Sequence, residues 1–184
     1  MKVAVLGGSF DPPHICHVFI SCYVVATGEV DQLWLVPCYK HAFGKELASF
    51  QHRFTMCCLA VEALRPEVVK VSAIEKERQG TSWTIDTVRY LKATYPEHDF
   101  TWIIGSDVLD ELDRWKDFDQ LQQLIAFMVI PRAGSARPSE TQEFQLPNIS
   151  STLIRARVKH KKPINHLVPR NVEEYIRVHK LYEG

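Results

Sequence analysis

Five short apolar runs recur along this chain, and helix-length segments separate them. The spacing predicts strands at Lys2–Leu6, Gln32–Val36, Val68–Val71, Phe100–Ile104 and Ala126–Ile130. Helices are expected at Ile15–Thr27, Phe50–Leu64, Ser82–Tyr95 and Asp117–Leu124, punctuated by Gly28, Pro66 and Pro96. Ser49 and Ser82 stand where they can cap the second and third of these helices. Residues 37–49, the stretch up to Thr81 and the segment Pro131–Pro147 read as loops, and a short helix should follow Asp107. A helix near Thr152–Val158 and a last one from Pro169 to about His179 complete the pattern. Strands joined by helices of ten or more residues imply right-handed βαβ units and a mainly parallel sheet. The strands are apolar almost throughout, as befits a doubly wound α/β sheet with helices on both faces. One domain over 1–184 is expected, its part from about 150 onward helical. In such sheets ligands bind at the carboxyl ends of the strands. That directs attention to residues 7–17, 37–45, 105–115 and 131–134.

Charge excludes some partners. Lys and Arg number 22, as do Asp and Glu, so the formal net charge is zero. No global field draws the chain to nucleic acid or to an anionic membrane. The Arg and Lys residues after Ser151 read as a solvated basic face. The longest apolar run, Leu124–Ile130, is too short to span a bilayer. Five cysteines, no CxxC pair and no secretory n-region predict reduced thiols in a cytoplasmic setting. His14, Cys16, His17 and Cys22 cluster, but no second ligand pair recurs at zinc spacing, so no protein-held metal is predicted. A homo-oligomer is compatible with all of this.

The segment GGSFDPPHICH, residues 7–17, carries the most chemistry. Gly7 and Gly8 allow a sharp turn and close backbone approach. A helix starting near His14 aims free N–H groups and a positive dipole end at the strand edge, an arrangement suited to anions. His14 and His17, three residues apart, share one face of that helix. Neither GxGxxG nor GxxxxGK[ST] is present.

GGSFDPPHICH resembles the GSFDPxHxGH signature of the nucleotidyltransferase superfamily, and more closely that of the nicotinate-nucleotide adenylyltransferases. Other segments resemble that family in order: His52-Arg53, Ser82–Thr87 (SYTIDT in the family), Ile104–Asp107 (IGAD) with Trp115 beyond it, Pro131–Gly134 (PRPG), Ile149–Arg155 (ISSTxIR), then Val168-Pro169, Tyr175-Ile176 and Leu181-Tyr182. The resemblance implies a Rossmann-like fold and adenylyl transfer from ATP to nicotinate mononucleotide, with Mg2+ accompanying ATP. It departs at Cys16, where the family has glycine; a side chain there is expected either to narrow the nucleotide site or to redirect a backbone contact. Alternatives are nicotinamide mononucleotide or another phosphorylated acceptor, and a nucleotide sensor without turnover.

By the same resemblance, His14, His17 and Arg155 are the catalytic residues. His14 and His17 would hold the α- and β-phosphates, and Arg155 the leaving pyrophosphate. Ser151 and Thr152, at a helix start, would hold the β- and γ-phosphates. Lys45 is assigned to phosphate, with His41 an equal competitor. Gly8, Ser9, Phe10, Ile104, Gly105, Asp107 and Arg132 complete the ATP site. Adenine is read mainly by backbone, and Asp107 either meets a ribose hydroxyl or organises its loop. Thr84 and Trp115 are assigned to the acceptor, the indole stacking on the pyridine ring or else serving as a core aromatic. Trp83 is expected to pack its helix, and Asp11 to do no more than turn the chain.

Overall fold

The computed structural model describes residues 1–131, 133 and 146–184. Among them five strands form one sheet: β1 (Lys2–Gly8), β2 (Gln32–Pro37), β3 (Val69–Val71), β4 (Asp99–Gly105) and β5 (Ala126–Ile130). Their order is β3-β2-β1-β4-β5, and every neighbouring pair is parallel. This is the Rossmann-like α/β sheet that the alternation predicts. The order reverses at β1, which pairs with β2 on one side and β4 on the other. The helices joining strands on the two sides of β1 therefore lie on opposite faces of the sheet, and a crevice opens between the carboxyl ends of β1 and β4.

Alternation along β1 builds two cores at once. Ala4 and Leu6 face one side with Leu33, Leu35 and Ile103, covered by helices α1 (Ile15–Ala26) and α2 (Phe50–Val61). On α1, Cys16, Ile20 and Val24 recur every four residues as the buried stripe. Val3 and Val5 face the other side with Trp34, Phe100, Trp102 and Ile104. That face is covered by α3 (Ile74–Arg78), α4 (Thr84–Thr94) and α5 (Phe118–Leu124). The 3-10 helix Ser106–Arg114 follows β4 directly. A third cluster joins Met56 and Ala60 of α2 to α6 (Ser151–Lys159) and α7 (Arg170–Val178) through Ile154, Ile164, Leu167, Val172 and Ile176. So α2 is buried on two sides and carries the C-terminal helices.

Three local expectations fail. The stretch before Thr81 contains α3, a single turn whose Ile74 and Glu75 are buried. One apolar side chain in a charged run gives no periodicity to read. Ser82 is not a cap; α4 starts at Thr84 with Trp83 at the cap position. The Ser82 hydroxyl instead accepts from the backbone N–H groups of Tyr39 and Lys40, at 2.8 and 3.2 Å. The second predicted helix stops at Val61, short of Leu64. Ser49 does cap α2, accepting from the His52 N–H at 3.3 Å.

Gly7 matters for space rather than for φ. A Cβ there would overlap the indole of Trp102, which lies across the end of β1. Gly7→Ala should therefore destabilise the fold by about 1–3 kcal/mol, the usual range for overpacking. Trp102→Leu in the same chain should recover part of that loss. Urea denaturation of the single and double variants measures both.

Candidate active site

Two adjoining clefts occupy the crevice. One, of about 180 Å³, is lined by His14, Cys16 and His17 from α1 and by Ile104, Gly105 and Asp107 after β4. The other, of about 300 Å³, is lined by Ser9, His41, Glu75, Thr84 and Lys116, among others. Gly7, Trp102, Val108 and Trp115 line both, so the clefts share a wall.

In the first cleft, His14 is the cap residue of α1 and is only 3% exposed. Its backbone N–H donates to Nδ1 of His17 at 3.0 Å. A ring nitrogen that accepts carries no proton, so the neutral His17 ring holds its proton on Nε2. The two imidazoles stack with centroids 3.7 Å apart, and the Phe10 ring meets His17 edge-on at 4.9 Å. Phe10 is itself buried, with a φ of 48° in the left-handed region. It supports His17 from below and lines neither cleft. Cys16 is buried in the wall, its Sγ 3.8 Å from the Pro147 carbonyl. The thiol thus occupies space where the family's glycine would leave room.

The second cleft is walled by two loops zipped together. His41 and Ser82 form a parallel bridge, and the Ser82 N–H donates to the Lys40 carbonyl at 2.8 Å. Glu75 reinforces this wall from beneath. It accepts from the Tyr39 N–H at 3.0 Å and from the Thr87 hydroxyl at 2.9 Å. Burial pushes its carboxyl above the ordinary range, against the lowering effect of Ser82, Thr87, the Tyr39 N–H and Arg78. Burial also lowers the His41 imidazole, helped by the charges of Lys45 and Arg53. At the mouth, Phe43 meets Trp83 edge-on, and Arg114 lies over the Phe43 ring at 5.2 Å.

Arg53 ties the loops after β1 and β2 to α2. It is 1% exposed and donates to the carbonyls of Ala48 and Ser9, each at 2.9 Å, and of Tyr39 at 3.5 Å. A guanidinium matches several carbonyls at once because its donors form a rigid fork.

At the far end of the first loop, Arg155 donates to the Asp11 carbonyl at 2.8 Å and lies 3.7 Å from its carboxylate. Its other terminal nitrogen reaches the Thr152 hydroxyl at 3.3 Å. The Ser151 hydroxyl is already committed, donating to the Pro12 carbonyl at 2.8 Å, so its side chain docks α6 on the loop. Ser150 caps α6 by accepting from the Leu153 N–H at 3.2 Å. Asp11 is more than a turn residue: it is 1% exposed and meets several partners.

The structure thus brings His14, His17, Ile104, Gly105 and Asp107 together, with Thr84 in the adjoining cleft and Trp115 in the wall the two share. Gly8 and Ser9 line the second cleft rather than the first. Of the two candidates for phosphate in the loop, His41 lines the second cleft, whereas Lys45 is exposed and lines neither. Arg132 lies outside the described residues.

Comparison with known proteins assigns the chain to a family. The profile of the cytidylyltransferase-like family covers residues 5–157. A "probable nicotinate-nucleotide adenylyltransferase" of Myxococcus xanthus is 42% identical over 99% of this chain and 95% of its own. Another of the same description, from Bacillus licheniformis, is 35% identical over 99% and 98%. The chain belongs to the nicotinate-nucleotide adenylyltransferases. A nicotinic acid mononucleotide adenylyltransferase of Plasmodium falciparum, solved with NaAD, has the same fold. Its TM-score is 0.82 at 21% identity, over 99% of this chain and 97% of that one.

As a member of this family, the chain carries features that sequence reasoning missed. Glu75 sat in a run read as loop. Lys116 lines the second cleft, its Nζ 2.9 Å from Asp86, which also lies 3.8 Å from Arg89. Its position directly after Trp115 was the available signal. The Asp11–Arg155 pair joins residues far apart in sequence and had no local signal at all.

The Glu75 carboxyl gives a pH test. A proton held more tightly in the folded than in the unfolded chain stabilises the fold below the unfolded pKa. That contribution is lost as pH rises through the raised folded value. Glu75→Gln should therefore gain in melting temperature relative to the parent as pH rises from about 5 to about 8. Thermal unfolding of both proteins across that range reads the difference; a constant gap between them contradicts the assignment.

Proposed function

We propose that this chain transfers the adenylyl group of ATP to nicotinate mononucleotide, giving nicotinate adenine dinucleotide and pyrophosphate. The observation that carries the reading is the pair of clefts sharing the Trp102–Trp115 wall. One has the two histidines at a helix start, and the other has Thr84 and Trp115. Two nucleotides seated in them meet at the end of β1.

The acceptor's 5′-phosphate is the nucleophile. One of its oxygens forms a new bond to the α-phosphorus of ATP. The bond from that phosphorus to the bridging oxygen of the β-phosphate breaks, and pyrophosphate leaves with the electron pair. The attacking oxygen is already anionic, so no protein base is needed. The protein's part is in-line positioning and charge stabilisation. His17 donates from Nε2 to an α-phosphate oxygen, the tautomer being set by the His14 N–H. His14 holds the neighbouring phosphate. The N–H groups opening α6, rather than the Ser151 hydroxyl, serve the β- and γ-phosphates, and Arg155 serves the leaving pyrophosphate.

Adenine lies by the Ile104–Gly105 backbone. The acceptor's pyridine stacks on Trp115, with Thr84 and the start of α4 near its carboxylate. Lys116 and Arg89 share the single charge of Asp86, which leaves that corner net positive. Among the described residues no three His, Cys, Asp or Glu side chains group as a metal ion requires. Magnesium, in this reading, enters on the triphosphate with water. Among the described residues no helix is long and apolar enough to cross a membrane. Five cysteines, none in a disulfide, suit a cytoplasmic setting.

His17→Ala should cut single-turnover rate by about a hundredfold or more, the scale of one preorganised donor, while acceptor binding and melting stay near the parent values. A folded variant with near-normal turnover removes His17 from the mechanism. Acceptor choice is tested by pyrophosphate release with a panel of mononucleotides at saturating ATP. The kcat/KM for the nicotinate form should exceed that for the nicotinamide form by about tenfold or more. The amide presents an NH₂ where the pocket offers donors, and such a mismatch leaves a polar group unpaired. A ratio near one defeats the acceptor assignment and leaves adenylyl transfer standing. No pyrophosphate with any acceptor points instead to a nucleotide sensor.

A further inference from the structure

Asp11 lies at a junction of four chain segments. It is buried in the loop that follows β1. Its Oδ1 accepts from the Ala48 N–H at 3.2 Å, and so from the loop before α2. Its Oδ2 lies 3.7 Å from Nη1 of Arg155, and its backbone carbonyl takes a hydrogen bond from that same nitrogen at 2.8 Å. The fourth segment is the C-terminal tail: the Tyr182 hydroxyl donates to Oδ1 at 2.8 Å.

The tail is shaped to deliver that phenol. After α7, Lys180 and Tyr182 both adopt left-handed backbone, with φ of 50° and 67°. Non-glycine side chains seldom do this, since Cβ then crowds the following carbonyl. The Leu181 N–H donates to the Ile176 carbonyl at 3.0 Å, and both Leu181 and Tyr182 pack against the α2–α6–α7 cluster. The turn is thus anchored on apolar contacts, and the phenol crosses to the loop of β1. Burial, followed by the Asp11 charge, pushes the phenol far above its ordinary range, so it remains a donor at every working pH.

We propose that Tyr182 is a positioning residue for Arg155, acting through Asp11. Its hydroxyl fixes the carboxylate, and the fixed Asp11 sets the guanidinium at the phosphate end of the site before ATP arrives. Tyr182 itself touches no substrate. An arginine left to search its rotamers would have to be ordered in the transition state, and that cost would appear in kcat. The inference rests on the assignment of Arg155 to the leaving pyrophosphate.

The test compares full-length parent, Tyr182→Phe, Arg155→Lys and the double variant. Tyr182→Phe keeps the packed ring and removes one charge-assisted hydrogen bond. Turnover should fall about tenfold, the scale of such a bond, with acceptor KM and melting temperature near the parent values. In the Arg155→Lys background the same change should cost less than about twofold, because the fork it positions is already gone. Tyr175→Phe is the control: it removes a hydroxyl from α7 that bonds His52 at 3.0 Å, and should leave turnover unchanged. Asp11→Asn, which keeps the shape and removes the charge, should reproduce the Tyr182→Phe split should the latter not fold. Parent-like turnover in Tyr182→Phe, or losses that multiply in the double variant, overturns the proposal. A parent protein that forms no dinucleotide overturns the functional reading instead, so the two failures are distinguishable.

Discussion

The central strand β1 is the constraint on which the site depends. Val3, Ala4 and Val5 are fully buried, and the strand is hydrogen-bonded to a parallel neighbour on each side. A strand buried on both faces and paired on both edges cannot slip by one residue without turning each apolar side chain to the wrong core. Its carboxyl end is therefore a fixed point. The loop that leaves it reaches α1 with His14 at the cap, and the order reversal beside it opens the crevice. Gly7, having no Cβ, leaves room for the Trp102 indole across that end of β1.

Charge in the site is arranged locally, on a chain with none to spare globally. Arg53 is buried without a carboxylate at ion-pair distance among the described residues; three carbonyls satisfy it, and it holds the loops of both clefts. Losing any of those carbonyls would leave buried donors unpaired, so loop geometry and cation burial reinforce each other. Asp11 and Arg155 form the counterpart at the far end of the first loop. Glu75 sits in the wall of the second cleft, where desolvation keeps its proton more tightly held than usual.

Family membership and chemistry were readable because the motifs are local. GGSFDPPHICH specifies a strand end, a turn and a helix start within eleven residues, and its two histidines share a face by helical spacing alone. Strand positions were also legible, since runs such as Val3–Leu6 and Ile103–Ile104 are apolar without interruption. The single-turn α3 was not legible, because five residues carry too little pattern. Ser82 was misread for a related reason. A serine before a helical run fits an N-cap, yet this hydroxyl is drawn across to the Tyr39 and Lys40 N–H groups, which no local signal announces.

The sequence by itself determined the parallel sheet and the family, because each follows from periodicity or from short motifs taken in order. Only the tertiary structure decided where each candidate side chain is engaged. Ser151 turned out to dock α6 on Pro12, Lys45 to stand outside both clefts, and Asp11 to join segments as distant as Ala48, Arg155 and Tyr182. The physical reason is that a polar side chain takes whichever partner folding brings within about 3 Å. Distance along the chain carries no information about that partner once four segments converge on one carboxylate.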